Sequence, residues 1–181
     1  MRLETKRLIL RPLTMGDLHA LHEILGDPVS MAHYPQPFSR EKTRRWITWN
    51  LENYETYGFG LLAVTLKDGG QFIGDCGITM QQIGCEKLPE IGYHISPSHT
   101  NRGYATEAAV ACRNYAFEVL KFPAVYSYMK YTNVASARVA EKNGMRLLSE
   151  FADTKNGITK VYGVTYEEYL AQKCGQPSYC D

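Results

Sequence analysis

An arginine and a glycine stand side by side in a turn that joins an apolar strand to an alanine-rich helix. The segment is Ile91 to Ala109, IGYHISPSHTNRGYATEAA. The first amides of a helix have no intrahelical partner and carry the positive end of its dipole. Such a terminus binds anions, and a pyrophosphate suits it. Gly103 lets phosphate oxygens approach the backbone, and Arg102 adds a cation. On spacing alone the same residues also fit an ordinary strand–turn–helix. Two nucleotide-binding motifs are excluded, because the segment contains neither a GK[ST] triplet nor G-x-G-x-x-G.

The flanking elements must position that turn. Leu8 to Leu10 reads as a first strand, and Thr14 caps a helix through Leu25 with Asp17 as its capping-box partner. Ser39 caps a second helix, Arg40 to about Tyr54. Gly60–Leu66 and Gln71–Met80 form a hairpin about Asp68-Gly69-Gly70. Gly74 and Gly77 inside its second arm imply a bulge or a close backbone approach. Glu90 to Ser96 is a strand ended by Pro97, Thr106 to Leu120 a helix, and Val125 to Lys130 a strand. Ala135 to Asn143 is a helix stopped by Gly144. Met145–Glu150 and Lys160–Thr165 close the chain as a strand pair. Strands and helices alternating in this way predict one mixed-sheet α/β (α+β) domain over residues 1–170, with a polar tail at 171–181.

Twenty Lys and Arg against nineteen Asp and Glu argue against a nucleic-acid partner. The N-terminal apolar run is broken by Arg7 and Arg11, unlike a signal peptide. No stretch reaches the roughly 18 apolar residues of a membrane span. Both observations point to the cytoplasm and no membrane partner. The five cysteines show no pairing pattern and read as free thiols; Cys174 and Cys180 in the tail are expected to be exposed. His22, His33, His94 and His99 lack metal-site spacing, so no metal is expected. Strand alternation sets His94 opposite Tyr93 and Ile95, which reads as a structural position.

The turn resembles the acetyl-CoA motif of GNAT acetyltransferases, Q/R-x-x-G-x-G/A, aligned on Thr100, Asn101, Arg102, Gly103, Tyr104 and Ala105. The run Ala105-Thr106-Glu107-Ala108 is similar to the branch that includes the ribosomal-protein N-terminal (Rim-type) acetyltransferases. So, in order, are TKRLILRPLTMGD, Pro37-Phe38-Ser39-Arg40, Phe72-Ile73-Gly74, and Asn133–Ser136 leading to Glu141–Met145. Thr100 and Asn101 depart from the usual residues, but asparagine accepts left-handed backbone angles.

The resemblance implies a twisted mixed sheet of six to seven strands with a splayed parallel pair, Tyr93–Ser96 and Val125–Lys130. Acetyl-CoA, as cosubstrate, would lie between them. The loop from Asn101 to Thr106 would take its pyrophosphate, an amide at Ile95 its pantetheine arm, and Asn133 would touch it or simply cap a helix. The reaction needs a proton taken from the amine, for which Glu90, at the head of its strand, is the candidate base, or else a solvated strand-edge carboxylate. The family's frequent tyrosine acid falls at Ala140, which leaves Ser136 as a donor to the sulfur, with Tyr128 and Tyr131 as substitutes. Tyr34, Trp46, Trp49, Tyr54, Tyr57 and Phe59 either line the acceptor pocket or pack the core. The acceptor is then a peptide N-terminus or a small-molecule amine, and the protein a monomer or homodimer. A non-catalytic acyl-CoA sensor of the same fold is the alternative. A strongly acidic cleft would favour an antibiotic as acceptor.

Overall fold

Side chains alternate between the two faces of a strand, and in this protein both faces of one sheet are covered. The computed structural model describes residues 1–154 and 156–174. The strands are β1 (Leu3–Glu4), β2 (Leu8–Pro12), β3 (Leu61–Leu66), β4 (Phe72–Ile83), β5 (Glu86–Ile95), β6 (Ala124–Lys130), β7 (Arg146–Asp153) and β8 (Gly157–Thr165). The helices are α1 (Leu18–Leu25), α2 (Arg40–Tyr57), α3 (Tyr104–Glu118), α4 (Val134–Lys142) and α5 (Tyr166–Cys174). Among the described residues the sheet has eight strands, ordered β1-β2-β3-β4-β5-β6-β8-β7. That is one more than the expected range, and the addition is the two-residue β1. Among the described residues only β5 and β6 run parallel.

One face packs on α3, α4 and α5 through Cys76, Ile78, Ile91, Ala109, Phe117 and Tyr169. The other packs on α1 and α2 through Leu13, Leu21, Leu25, Ile47 and Ala63. Capping follows the sequence: Ser39 Oγ accepts the Lys42 amide at 3.1 Å, and the Asp17 carboxylate accepts the Thr14 amide at 2.8 Å. The helix α5 has no counterpart in the strand-and-turn pattern. It buries Tyr169 against Phe117, ring centroids 4.9 Å apart. The boundary at residue 170 falls inside it, and residues 175–181, with Cys180, lie outside the described residues. Cys174 is exposed, while Cys76 and Cys112 are buried thiols with sulfurs 3.8 Å apart.

The two glycines of β4 carry both features expected of them. The ladder shifts between Val64 and Thr65, leaving Ile73 as the extra residue beside Gly74. A Cβ on Gly77 would stand 2.2 Å from the Gly60 carbonyl oxygen. The β4–β5 hairpin is longer than its sequence indicates, pairing from Gly74↔Ile95 to Ile83↔Glu86. Glu90 therefore sits in mid-strand, not at the strand's head. Pro89 is tolerated inside β5 because its missing N–H would face β6, which pairs with β5 in register only at Glu90↔Tyr126.

Candidate active site

The turn before α3 has the backbone that anion binding needs. Asn101 has φ 60° and Gly103, the N-cap of α3, has φ 81°. The first helical bond is Glu107 N–H to the Gly103 carbonyl at 3.0 Å. The amides of Tyr104, Ala105 and Thr106 precede it and have no partner within the helix. The lead-in to β2 holds this turn. Arg7 donates to the Arg102 carbonyl at 3.0 Å, pairs with Glu107 at 2.7 Å, and lies over the Tyr104 ring at 4.3 Å. Burial alone would raise the Glu107 pKa. Bonds from the Thr5 hydroxyl and from the Arg7 amide and guanidinium outweigh it and hold the carboxylate below its usual range. Arg7 and Glu107 escaped the sequence reading, because their partners lie about a hundred residues away.

Past Glu90↔Tyr126 the parallel strands part. At the fork Ser127 Oγ donates to the Ile91 carbonyl at 2.7 Å, a side chain standing in for a ladder bond. On the far side of β5 the Ser96 amide bonds the Ile73 carbonyl at 2.8 Å. Backbone groups alternate along a strand, so the neighbouring Ile95 amide faces the gap. Across the gap, Asn133 Oδ1 caps α4 by accepting the Ser136 amide at 3.1 Å. Ser136 is held by Tyr93, whose hydroxyl donates to its carbonyl at 2.9 Å and lies 3.0 Å from its Oγ. Burial pushes the Tyr93 pKa upward. Ala140 is 1% exposed in the core, which leaves no room there for a tyrosine.

Glu90 projects to the other face, where Thr79 Oγ1 donates to its Oε2 at 3.2 Å. On that face stands a chain of polar groups that sequence reasoning did not assemble. Asp75, with a wholly buried side chain, accepts from Trp46 Nε1 at 3.1 Å through Oδ2 and meets His94 Nδ1 at 2.8 Å through Oδ1. The other ring nitrogen of His94 lies 2.8 Å from the Tyr34 hydroxyl. Burial alone would lower the His94 pKa, but the charge and hydrogen bond of Asp75, then Glu90, raise it. The side is the one alternation gave, but His94 is a bridge there and not filler. Tyr34 belongs to the loop between α1 and α2. From the same loop His33 Nδ1 lies 3.4 Å from Thr132 Oγ1, so the loop crosses from the β5 bank of the gap to the β6 bank.

The other aromatics divide. Trp49 packs on Trp46 at 5.1 Å, whereas Tyr54 accepts the Leu13 amide and donates to the Leu61 carbonyl as a structural brace. Phe59 is buried against Phe122, and Tyr57 stacks on it at the surface with Lys87. Tyr131 is 49% exposed. Tyr128 lines a cavity of about 250 Å³ with Gln82, Phe151 and Asp153. Among the described residues no group of three or more His, Cys, Asp or Glu side chains is placed to hold a metal ion, and no helix is long and apolar enough to cross a membrane.

A glycine-capped helix terminus beside a splayed parallel pair is the arrangement that the family resemblance implies. The model of the acetyltransferase (GNAT) domain matches residues 7–146. The chain belongs to the GNAT acetyltransferase family. The GNAT chain is 39% identical over 145 residues to the uncharacterized protein YkkB of Bacillus subtilis, covering 80% of this chain and 84% of that one. It is 31% identical over 148 residues to the uncharacterized N-acetyltransferase YnaD of the same organism, covering 81% and 83%. A solved acetyltransferase from Agrobacterium tumefaciens superposes with TM-score 0.79 at 34% identity, covering 91% and 94%. RimL, a ribosomal L7/L12 α-N-protein acetyltransferase solved with coenzyme A, shares the fold at TM-score 0.75 and 15% identity, covering 91% and 98%. This GNAT protein is therefore an acetyl-CoA-dependent acetyltransferase, and its likeness to RimL is one of fold.

Proposed function

We propose that the protein moves the acetyl group of acetyl-CoA directly onto a primary amine, with both substrates bound together. The observation that carries this reading is the gap between β5 and β6, which has the Gly103-capped terminus of α3 at its open end and the Glu90 carboxylate at its fork. The amides from Tyr104 to Thr106, with Asn101, Arg102 and Gly103, take the pyrophosphate. The Ile95 amide bonds the pantetheine arm as a strand would, and Asn133 flanks it. A carboxylate on the acceptor face attracts an ammonium and then accepts its proton, directly or through water, as the neutral amine attacks. A neighbouring gap-facing amide of β5 polarises the thioester carbonyl, and Ser136, held by Tyr93, donates a hydrogen bond towards the sulfur.

The acceptor is a peptide N-terminus or a small-molecule amine. The test is release of coenzyme A thiol from acetyl-CoA across a panel of N-terminal peptides, polyamines and aminoglycosides. Turnover with any of them supports transfer. Tight acetyl-CoA binding with no thiol release across the panel makes the protein a sensor instead, a reading to which the buried Ala140 lends weight.

A further inference from the structure

The acceptor face holds more proton-transfer machinery than one carboxylate requires. Asp75, His94 and Tyr34 form a linear chain, with 2.8 Å at each of its two steps. The chain starts at a buried carboxylate and ends at a hydroxyl on the loop that spans the gap. His94 is 11% exposed, and Tyr34 is 37% exposed. A proton on His94 Nε2 therefore has the Tyr34 oxygen as its next station. Trp46 fixes the second oxygen of Asp75, which leaves Oδ1 to set the imidazole.

The occupancy of the hydrogen bonds sets the direction. With both ring nitrogens protonated, Nδ1–H donates to Asp75 and Nε2–H donates to the Tyr34 oxygen. The phenol proton of Tyr34 must then point elsewhere. Its ring packs on His94 of β5 with centroids 5.6 Å apart, and the preceding residue, His33, reaches Thr132 on the far bank of the gap. The charged and titratable groups that bear on His94 and Tyr34 are Asp75 of β4, Glu90 of β5, Tyr128 of β6 and their own two side chains. The two carboxylates favour the imidazolium, and burial with their charge keeps the phenol from ionising.

We propose that Asp75, His94 and Tyr34 form a relay that protonates the departing coenzyme A thiolate, with Tyr34 as the catalytic acid and His94 and Asp75 as the residues that position and recharge it. The proposal rests on the acetyl-transfer reading above. The amine attacks the thioester carbon and gives its proton to Glu90. The tetrahedral adduct collapses, and the carbon–sulfur bond breaks. Sulfur takes the Tyr34 hydroxyl proton as the Tyr34 oxygen takes the His94 Nε2 proton, so no free phenolate forms. His94 is left neutral, its Nδ1–H still donated to Asp75. Solvent then reprotonates His94 and strips Glu90, which closes the cycle.

The test compares wild type, Tyr34→Phe and His94→Gln at saturating acetyl-CoA and amine, with kcat followed from pH 6 to 10 by thiol release. Tyr34→Phe keeps the ring and removes only the hydroxyl. A melting curve and the acetyl-CoA Kd show that each variant is folded and loaded. The wild-type kcat is expected to fall at high pH, through a pKa above 6.5, as His94 loses the proton that it relays. Both variants are expected to lose kcat by roughly 10²-fold with the Kd unchanged, a usual contribution of a positioned acid. His94→Gln is also expected to lose the alkaline limb, which a merely structural role would leave in place. Wild-type kcat in Tyr34→Phe, or an unaltered alkaline limb in His94→Gln, overturns the relay and leaves acetyl transfer standing. A wild type that releases no thiol with any amine overturns the transfer reading, and the relay with it.

Discussion

Replacing Gly103 by alanine should weaken acetyl-CoA binding without unfolding the protein. Gly103 has φ 81°, in the left-handed region, and an added Cβ would meet nothing closer than 3.5 Å, at the Arg7 guanidinium. The cost is therefore conformational rather than steric, about 1–2 kcal/mol for an ordinary L-residue there. Where that strain relaxes, the Tyr104–Thr106 amides turn away from a common point and the pyrophosphate loses donors. At 1.4 kcal/mol per tenfold, the expected rise in Kd is about 5- to 30-fold. Proline at the same position cannot reach a positive φ at all and should abolish binding. Arg102→Ala is the milder comparison, costing on the order of 1 kcal/mol because an exposed cation adds little to the backbone donors. Calorimetric titration with acetyl-CoA, alongside melting curves, measures all three. An unchanged Kd in folded Gly103→Pro would refute the assignment of this turn to the pyrophosphate.

Three further outcomes follow from the geometry. Glu90→Gln should lower turnover near pH 7 by roughly 10²–10⁴-fold with acetyl-CoA affinity intact, and part of the loss should return at higher pH; a wild-type rate at pH 7 with a good acceptor refutes the base. Ser127→Ala leaves the buried Ile91 carbonyl without its partner at the fork, and chemical denaturation should show a loss of about 1–3 kcal/mol. The His94 pKa is raised on folding, so its contribution to stability is complete below about pH 6.5 and disappears as pH rises through the folded value. Melting curves should accordingly show wild type losing this increment above pH 6.5, and His94→Gln showing no such step.

Much of the frame is legible in the chain. Seven of the eight strands carry an apolar or alternating run, and both large helices carry their caps in plain view, Ser39 before α2 and Gly103 before α3. The length of β5 was hidden because Pro89 reads as a breaker, and only the absence of a registered β6 partner at that position lets it stay in the strand. The helix α5 was hidden because its stability comes from packing Tyr169 on Phe117, far away in sequence, rather than from a strong amphipathic pattern.

The chain alone determined the glycine-led turn before α3, since a glycine at a helix start and the amides behind it are local properties that no distant residue has to supply. It also set Glu90 and His94 on one face of β5, because strand alternation is a property of the backbone. Tertiary structure decided what those residues meet. Arg7 and Glu107 close on each other across 100 positions to hold the turn. Asp75, His94 and Tyr34 align only because β4 pairs with β5 in one register and the loop after α1 folds back over the gap. Spacing cannot encode a contact between three segments whose order in sequence is unrelated to their order in space. Such a chain becomes visible only once the hydrophobic faces have packed and fixed the register.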